Sequence, residues 1–245
     1  MSASIGAGGA GFTLSSAHWP EVEAGPRRLL VVPVGSLEQH GAHLPLDTDT
    51  RIAAAVAARA CAGRPGVALA PPIAIGASGE HADFPGTLSI GSVALSTLLV
   101  ELGRHASLHW PALLLVNAHG GNVTAISDAL GQLRGEGRRG DVWHAGVRPA
   151  MLAAEEPLVP DAHAGRVETS LMLALAPAEV RLDAAAAGDT RPLREIMPAL
   201  SARGVRHVSP NGVLGDPAGA SAAEGERLLG LLVADLAETV DRLLG

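Results

Sequence analysis

Leu29–Ile52 reads LLVVPVGSLEQHGAHLPLDTDTRI. Its first six residues are apolar without interruption, as expected of a strand buried on both faces of a parallel sheet. Gly35 ends the run. Five side chains able to bind a metal follow in one loop: Glu38, His40, His43, Asp47 and Asp49. A helical pattern resumes near Ile52. Chemistry gathered just past the carboxyl end of a buried strand is the arrangement that open α/β sheets use. A polar loop with hydrogen-bonded histidines is the plainer reading, but so many metal-competent groups together favour a metal site.

The same order recurs along the chain. Val67–Ala70 is a short strand ended by Pro71-Pro72, and the polar loop Ile75–Thr87 follows, carrying Glu80, His81 and Asp83. For His81 alone, a hydrogen-bonded loop histidine is the stronger reading. Ala112–Val116 is a further buried strand, closing on Asn117-Ala-His-Gly-Gly-Asn122. Helical spacing is predicted for Arg51–Ala62, with Asp49 or Thr50 as cap, and for Ser92–His109, Val123–Leu133, Glu168–Leu175 and Ala222–Leu244. Asp141–Ala145 reads as another strand. Residues 1–12 read as a flexible tail, Leu14–Trp19 as a turn or short helix, and Glu155–Pro160 as an irregular approach to DAHAGRVETS. Ala178–Pro210 reads as covering loops and Asn211–Pro217 as a turn-rich strap. Strand, polar loop and helix in repetition predict an α/β fold, with a mostly parallel sheet and helices on both faces.

At 245 residues the chain has the length of one domain, residues 1–245. Its formal charge of −7, with 18 Lys+Arg against 25 Asp+Glu, and its lack of tyrosine argue against nucleic acid as a partner. The single cysteine, Cys61, excludes an intrachain disulfide and a thiolate zinc site, and reads as a small buried hydrophobe. No GxGxxG follows Val34 and no Walker A sequence occurs, which disfavours dinucleotide and P-loop enzymes. No apolar run approaches the roughly 20 residues needed to span a bilayer, and no secretory signal is visible. The expectation is a cytoplasmic protein without a membrane partner.

Glu38 and His40 lie close enough in an ordered loop to serve neighbouring ions, and Asp49 has two oxygens with which to bridge them. His119 follows a buried strand, so a parallel sheet can bring it beside the first loop. Glu168 can arrive likewise from the third polar segment. This oxygen and nitrogen donor set suits Zn(II), Mn(II) or Fe(II).

PVGSLEQHGAHLPLDTD, NAHGGN and HAGRVETS, in this order, resemble the motifs of the creatininase (creatinine amidohydrolase) family over about Leu29–Pro217. The resemblance implies a three-layer α/β/α sandwich, commonly a homohexamer, and metal-dependent hydrolysis of amide C–N bonds. It further implies two divalent ions per subunit, Zn(II) or Fe(II) ahead of Mn(II), on Glu38, His40, Asp49, His119 and Glu168, with Asp49 bridging. His163 matches the catalytic histidine that handles the proton going to the leaving nitrogen. Creatininase itself carries Glu where this chain has Gly121, which makes creatinine an unsuitable substrate. DTDTRIA and Ser209–Ser221 resemble peptide-processing members of the family. They imply a modified precursor peptide as substrate, losing a C-terminal Val-Tyr dipeptide. A small amide such as a formamide or lactam is the alternative substrate, and a non-catalytic metal-dependent peptide-binding protein is the alternative of another class. Arg148, Arg166, Arg203 and Arg206 are candidates for grasping a peptide carboxylate. His43 and Asp47 are candidate supports of the loop, and Asn117 and Asn122 candidate braces of the turn that carries His119.

Overall fold

The computed structural model describes residues 12–152 and 161–245. Five parallel strands form one sheet in the order β1-β3-β2-β4-β5. They are β1 (Phe12–Thr13), β2 (Leu29–Val34), β3 (Val67–Leu69), β4 (Leu113–Asn117) and β5 (Gly140–His144). The helices are α1 (Trp19–Ala24), α2 (Thr48–Cys61), α3 (Gly91–Ala106), α4 (Val123–Gly135), α5 (Arg166–Leu175), α6 (Leu193–Arg203), α7 (Val205–Val208) and α8 (Ala222–Leu244).

Side chains alternate across a strand, and β2 shows why this one must be apolar throughout. Leu29 and Val31 join a core with α2, α5 and α8, while Leu30, Val32 and Val34 join a second core with α3 and α4. The sheet is thus the middle of three layers, and every residue of β2 is buried. Pro33 is tolerated in this central strand because its position faces β3, which has already ended at Leu69. Its carbonyl still accepts from Ile73 N–H at 2.9 Å.

Strand order places the chemistry. The chain leaves β2 through α2 toward β3 on one side, and leaves β4 through α4 toward β5 on the other. The two helices lie on opposite faces. The loops after β2 and β4 therefore diverge, and a crevice opens at the carboxyl ends of these neighbouring strands.

Several sequence expectations shift. The expected tail gives up Phe12, which pairs with Ala68 in the parallel edge strand β1; the remainder, 1–11, lies outside the described residues, as does Glu155–Pro160. Trp19 opens α1 and is exposed. Helix α2 begins at Thr48, so Asp49 lies in its first turn and caps nothing. Thr48 Oγ1 donates to Pro45 O, Thr50 Oγ1 donates to Ser36 O, and the Asp49 carboxylate turns inward. Within Ala178–Pro210, α6 and α7 form where loops were expected. They close a small separate core of Ile196, Leu200, Val205 and Leu214 against Phe84.

Candidate metal centre

Glu38, His40, Asp49, His119 and His163 are buried and converge at the crevice, with Glu168 at its wall. A cleft of about 370 Å³ opens over them, lined in part by Asp49, His119, His144, Asp161, His163 and Glu168.

Local hydrogen bonds aim the imidazoles. His40 Nδ1 lies 3.1 Å from Glu38 O, and a carbonyl can only accept. The neutral ring therefore carries its proton on Nδ1. Its Nε2 lone pair faces Asp49 Oδ1 at 3.0 Å and Glu168 Oε2 at 3.9 Å. His119 is the mirror case. Its Nε2 donates to Ala77 O at 3.1 Å, and Nδ1 faces Glu38 Oε1 at 3.1 Å and Asp49 Oδ2 at 3.3 Å. Backbone acceptors on the outer nitrogens with lone pairs turned inward are what metal-binding histidines require. Asp49 presents one oxygen to each histidine, while Ser36 Oγ donates to Oδ2 at 2.7 Å.

Glu38 is wholly buried, yet neither carboxylate oxygen accepts a hydrogen bond. An ionised carboxylate left so in a protein interior is strongly unfavourable. Its neighbours are the ring nitrogens of His119, of His81 at 3.5 Å and of His163 at 3.9 Å. The residues present therefore fit a cation: Glu38, Asp49 and the inward nitrogens of neutral His40 and His119 turn lone pairs toward one another. Glu38, His40 and Asp49 each offer a ligand atom within 4.8 Å of the others, and so do His40, His163 and Glu168.

The charge balance agrees. Burial opposes a proton on His40, but Asp49, Glu168 and Glu38 outweigh it and raise its pKa to about 10. Burial likewise opposes a charge on His119, and Asp49 and Glu38 raise its pKa well above the usual value. Burial disfavours ionised Asp49, yet the two histidines pull it well below the usual carboxylate range. Protons on these rings occupy places where a divalent ion would compete with them. His163 is the opposite case. Burial, then the charge on His40, lowers it to about 3, so it stays neutral near pH 7. Burial pushes Glu168 up to about 7 against the pull of His40.

Strained backbone sets the third segment. Ala164, between His163 and Gly165, has φ 54°, a left-handed conformation uncommon for alanine. The turn lets Ala164 N–H donate to Glu168 Oε2 at 2.6 Å and brings His163 Nε2 to donate to Gln39 O at 2.8 Å. Asn117 Nδ2 donates to His119 O, and Asn122 Nδ2 donates to Gly35 O and Asn117 Oδ1, so both asparagines brace the His119 turn. His43 bonds Thr169 at 3.0 Å, and Asp47 holds Arg51 at the surface.

His81 is a hydrogen-bonded histidine of its loop, and it also reaches the centre. It is buried beside Glu38 and hydrogen-bonds Gln39 Nε2 at 2.9 Å. Gln39 itself went unnoticed in the sequence; its signal lay far off, at Gly212, where any Cβ would sit 1.9 Å from Gln39 Oε1. Of the arginines, Arg166 is clamped by both oxygens of Glu224, Arg148 pairs with Asp235, and Arg206 donates to Asp83 O over the Phe84 ring. Arg203 is exposed in the last turn of α6.

A family model described as creatinine amidohydrolase (creatininase) matches residues 15–240. The chain belongs to the creatininase family. It is 50% identical over 220 residues to a mycofactocin precursor peptide peptidase of Mycolicibacterium smegmatis, covering 87% of this chain and 85% of that one. It is 32% identical to a creatinine amidohydrolase of Pseudomonas putida, covering 91% and 93%. A solved creatininase variant superposes with TM-score 0.79 at 29% identity, covering 96% of this chain and 99% of that one. Solved creatininases include manganese and zinc–zinc forms. The family comparison and the gathered ligand atoms together identify a metal-dependent hydrolase of amide bonds.

Proposed function

We propose that the chain is a dinuclear metallopeptidase, its catalytic unit a single domain. It would release the C-terminal Val-Tyr dipeptide from the modified mycofactocin precursor peptide. The observation that carries the metal reading is Glu38, wholly buried with two oxygens that accept no hydrogen bond. Glu38, His40, Asp49, His119 and Glu168 would hold two divalent ions, Zn(II), Fe(II) or Mn(II), with Asp49 between them. When bound, such ions supply an activated water and polarise the amide carbonyl. The peptide substrate is supported by the names of relatives about 50% identical over most of their length.

The chain's own groups would perform the remaining work. The bond from His163 Nε2 to Gln39 O fixes that ring and leaves Nδ1 without a proton. Burial keeps the imidazole neutral near pH 7, and Nδ1 would be the atom that passes a proton to the leaving nitrogen. The cleft volume lies within the usual range of ligand pockets. Exposed Leu88, Ile90, Val93 and Leu98 at and before α3 support assembly into the homohexamer, which light scattering would test.

The substrate is tested by incubating metal-loaded protein with a precursor peptide ending in Val-Tyr and following products by mass spectrometry. Release of the intact dipeptide is expected. Single amino acids, or turnover of a formamide or lactam with the peptide untouched, would overturn the peptide assignment. His163→Ala is expected to keep its metal and lose hydrolysis; unchanged hydrolysis would remove His163 from its role.

A further inference from the structure

We propose that His144 is a recognition residue of the cleft, its ring Nε2–H holding the C-terminal carboxylate of the peptide substrate. The inference rests on the peptide reading above and deepens it by naming a group that takes hold of the leaving dipeptide.

His144 ends β5, in register with Asn117 at the end of β4. Ala145 N–H donates to Asn117 O at 2.8 Å and Gly146 N–H to His144 O at 2.9 Å, so the chain turns directly after the strand. His144 lines the cleft together with Val147, Val167, Leu171 and Leu232.

The hydrogen bonds behind the ring decide its tautomer. Asn122 Oδ1 accepts from Ala77 N–H, which makes Asn122 Nδ2 the donor to Asn117 Oδ1. Asn117 Oδ1 also accepts from His119 N–H at 3.3 Å. The two hydrogens of Asn117 Nδ2 then go to His119 O at 2.7 Å and to His144 Nδ1 at 3.2 Å. An amide nitrogen only donates, so His144 Nδ1 accepts. Burial lowers the pKa of His144 and keeps the ring neutral near pH 7. Its single proton is therefore on Nε2, turned away from Asn117. Among the described residues the ring has no second partner.

The other side-chain N–H groups of the cleft are spent. His119 Nε2 donates to Ala77 O and His163 Nε2 to Gln39 O, while Asp49, Asp161 and Glu168 bring oxygens. Arg166 and Arg148 are held by Glu224 and Asp235. His144 Nε2–H thus remains as the side-chain donor for a carboxylate. The reach is suitable. Neighbouring strands lie about 4.8 Å apart, which sets His144 one strand away from the segment that carries His119. Two extended residues span about 7 Å, the distance from a leaving nitrogen to the carboxylate of the dipeptide it begins.

The test uses full-length, metal-loaded protein and two peptides: the precursor ending in Val-Tyr, and the same peptide with a C-terminal carboxamide. Wild type is expected to favour the carboxylate on the order of 10-fold in kcat/KM, the scale of one hydrogen bond to a charged group. His144→Ala should lose that preference, through KM more than kcat, with circular dichroism and metal content by elemental analysis unchanged. His144→Gln, whose amide can accept from Asn117 and still donate, should regain part of it. Calorimetric titration with the dipeptide Val-Tyr and with its amide reads the same contact without turnover and should show the same pattern. Equal cleavage of both peptides by wild type, or a preference undiminished in His144→Ala, would overturn the assignment. Metal lost from His144→Ala would overturn it as well, by making the residue a brace of the His119 turn. A precursor left uncut while Val-Tyr binding still depends on His144 would instead overturn the substrate reading and keep the carboxylate site.

Discussion

Asn122 and Glu38 are both fully buried polar side chains at the carboxyl ends of the central strands. Every group of the Asn122 amide is used: Oδ1 accepts from Ala77 N–H at 2.9 Å, while Nδ2 donates to Gly35 O and Asn117 Oδ1. Glu38, by contrast, accepts nothing on either oxygen. Burial alone therefore does not tell scaffold from chemistry. A satisfied polar group ties loops together and is finished in the apo-protein. An unsatisfied one is costly until something arrives to meet it.

The largest effect should come from breaking the unsatisfied partner. Glu38→Gln removes a carboxylate from the centre and should lower hydrolysis on the order of 10³-fold, the scale of losing one electrostatic group at a reacting site. The same variant should leave apo-protein about as resistant to urea as wild type, because neither carboxylate oxygen accepts a hydrogen bond that the substitution would break. The two should separate when metal is added. At a metal concentration 100 times Kd, wild type gains about 2.7 kcal/mol by mass action, and the variant should gain distinctly less. Apo-protein of Glu38→Gln unfolding at much lower urea than wild type would mean that Glu38 is structural after all.

This division was only half visible in the sequence. Continuous apolar runs gave β2 and β4 their places, because a strand buried between two helical layers tolerates nothing else. Ala222–Leu244 was readable to the residue, since its leucines and valines repeat at helical spacing against one core. His40, Asp49 and Glu38 stood out because three metal-competent types share one loop. Gln39 did not, as its meaning depends on a glycine distant in the chain, Gly212, whose missing side chain makes room for it. Helices α6 and α7 were hidden for a related reason. Their few apolar residues reach a core only with Phe84 and Leu214, from other segments, and Pro198 interrupts the pattern within α6.

The satisfied partner should fail in the opposite way. Asn122→Ala strands the Ala77 amide and the Gly35 carbonyl in the interior and should cost about 3 kcal/mol of stability. Urea denaturation checks it. The loss should appear equally in apo and metal-loaded protein if Asn122 serves as scaffold. Because Ala77 O receives the His119 proton, some loosening of the centre will follow, but hydrolysis should fall far less than in Glu38→Gln. A fall as large as in that variant would erase the distinction between the two residues.

Cys61 provides the smallest effect and a limit for the comparison. It is buried in the core formed by α2 and α8, and burial pushes its thiol up to about 11. It lies twelve residues beyond Asp49 on the same helix, roughly 18 Å away at 1.5 Å per residue. A thiol is a weak donor and acceptor, so leaving it without a partner costs little, unlike the carboxylate of Glu38. Native protein at pH 8 should react slowly with iodoacetamide and rapidly once unfolded, because only the thiolate attacks and the folded chain disfavours and covers it. Cys61→Ala should cost about 1 kcal/mol from lost packing and leave the metal count unchanged. A drop in bound metal would mean that α2 transmits core packing to Asp49, joining two regions that the hydrogen bonding keeps apart.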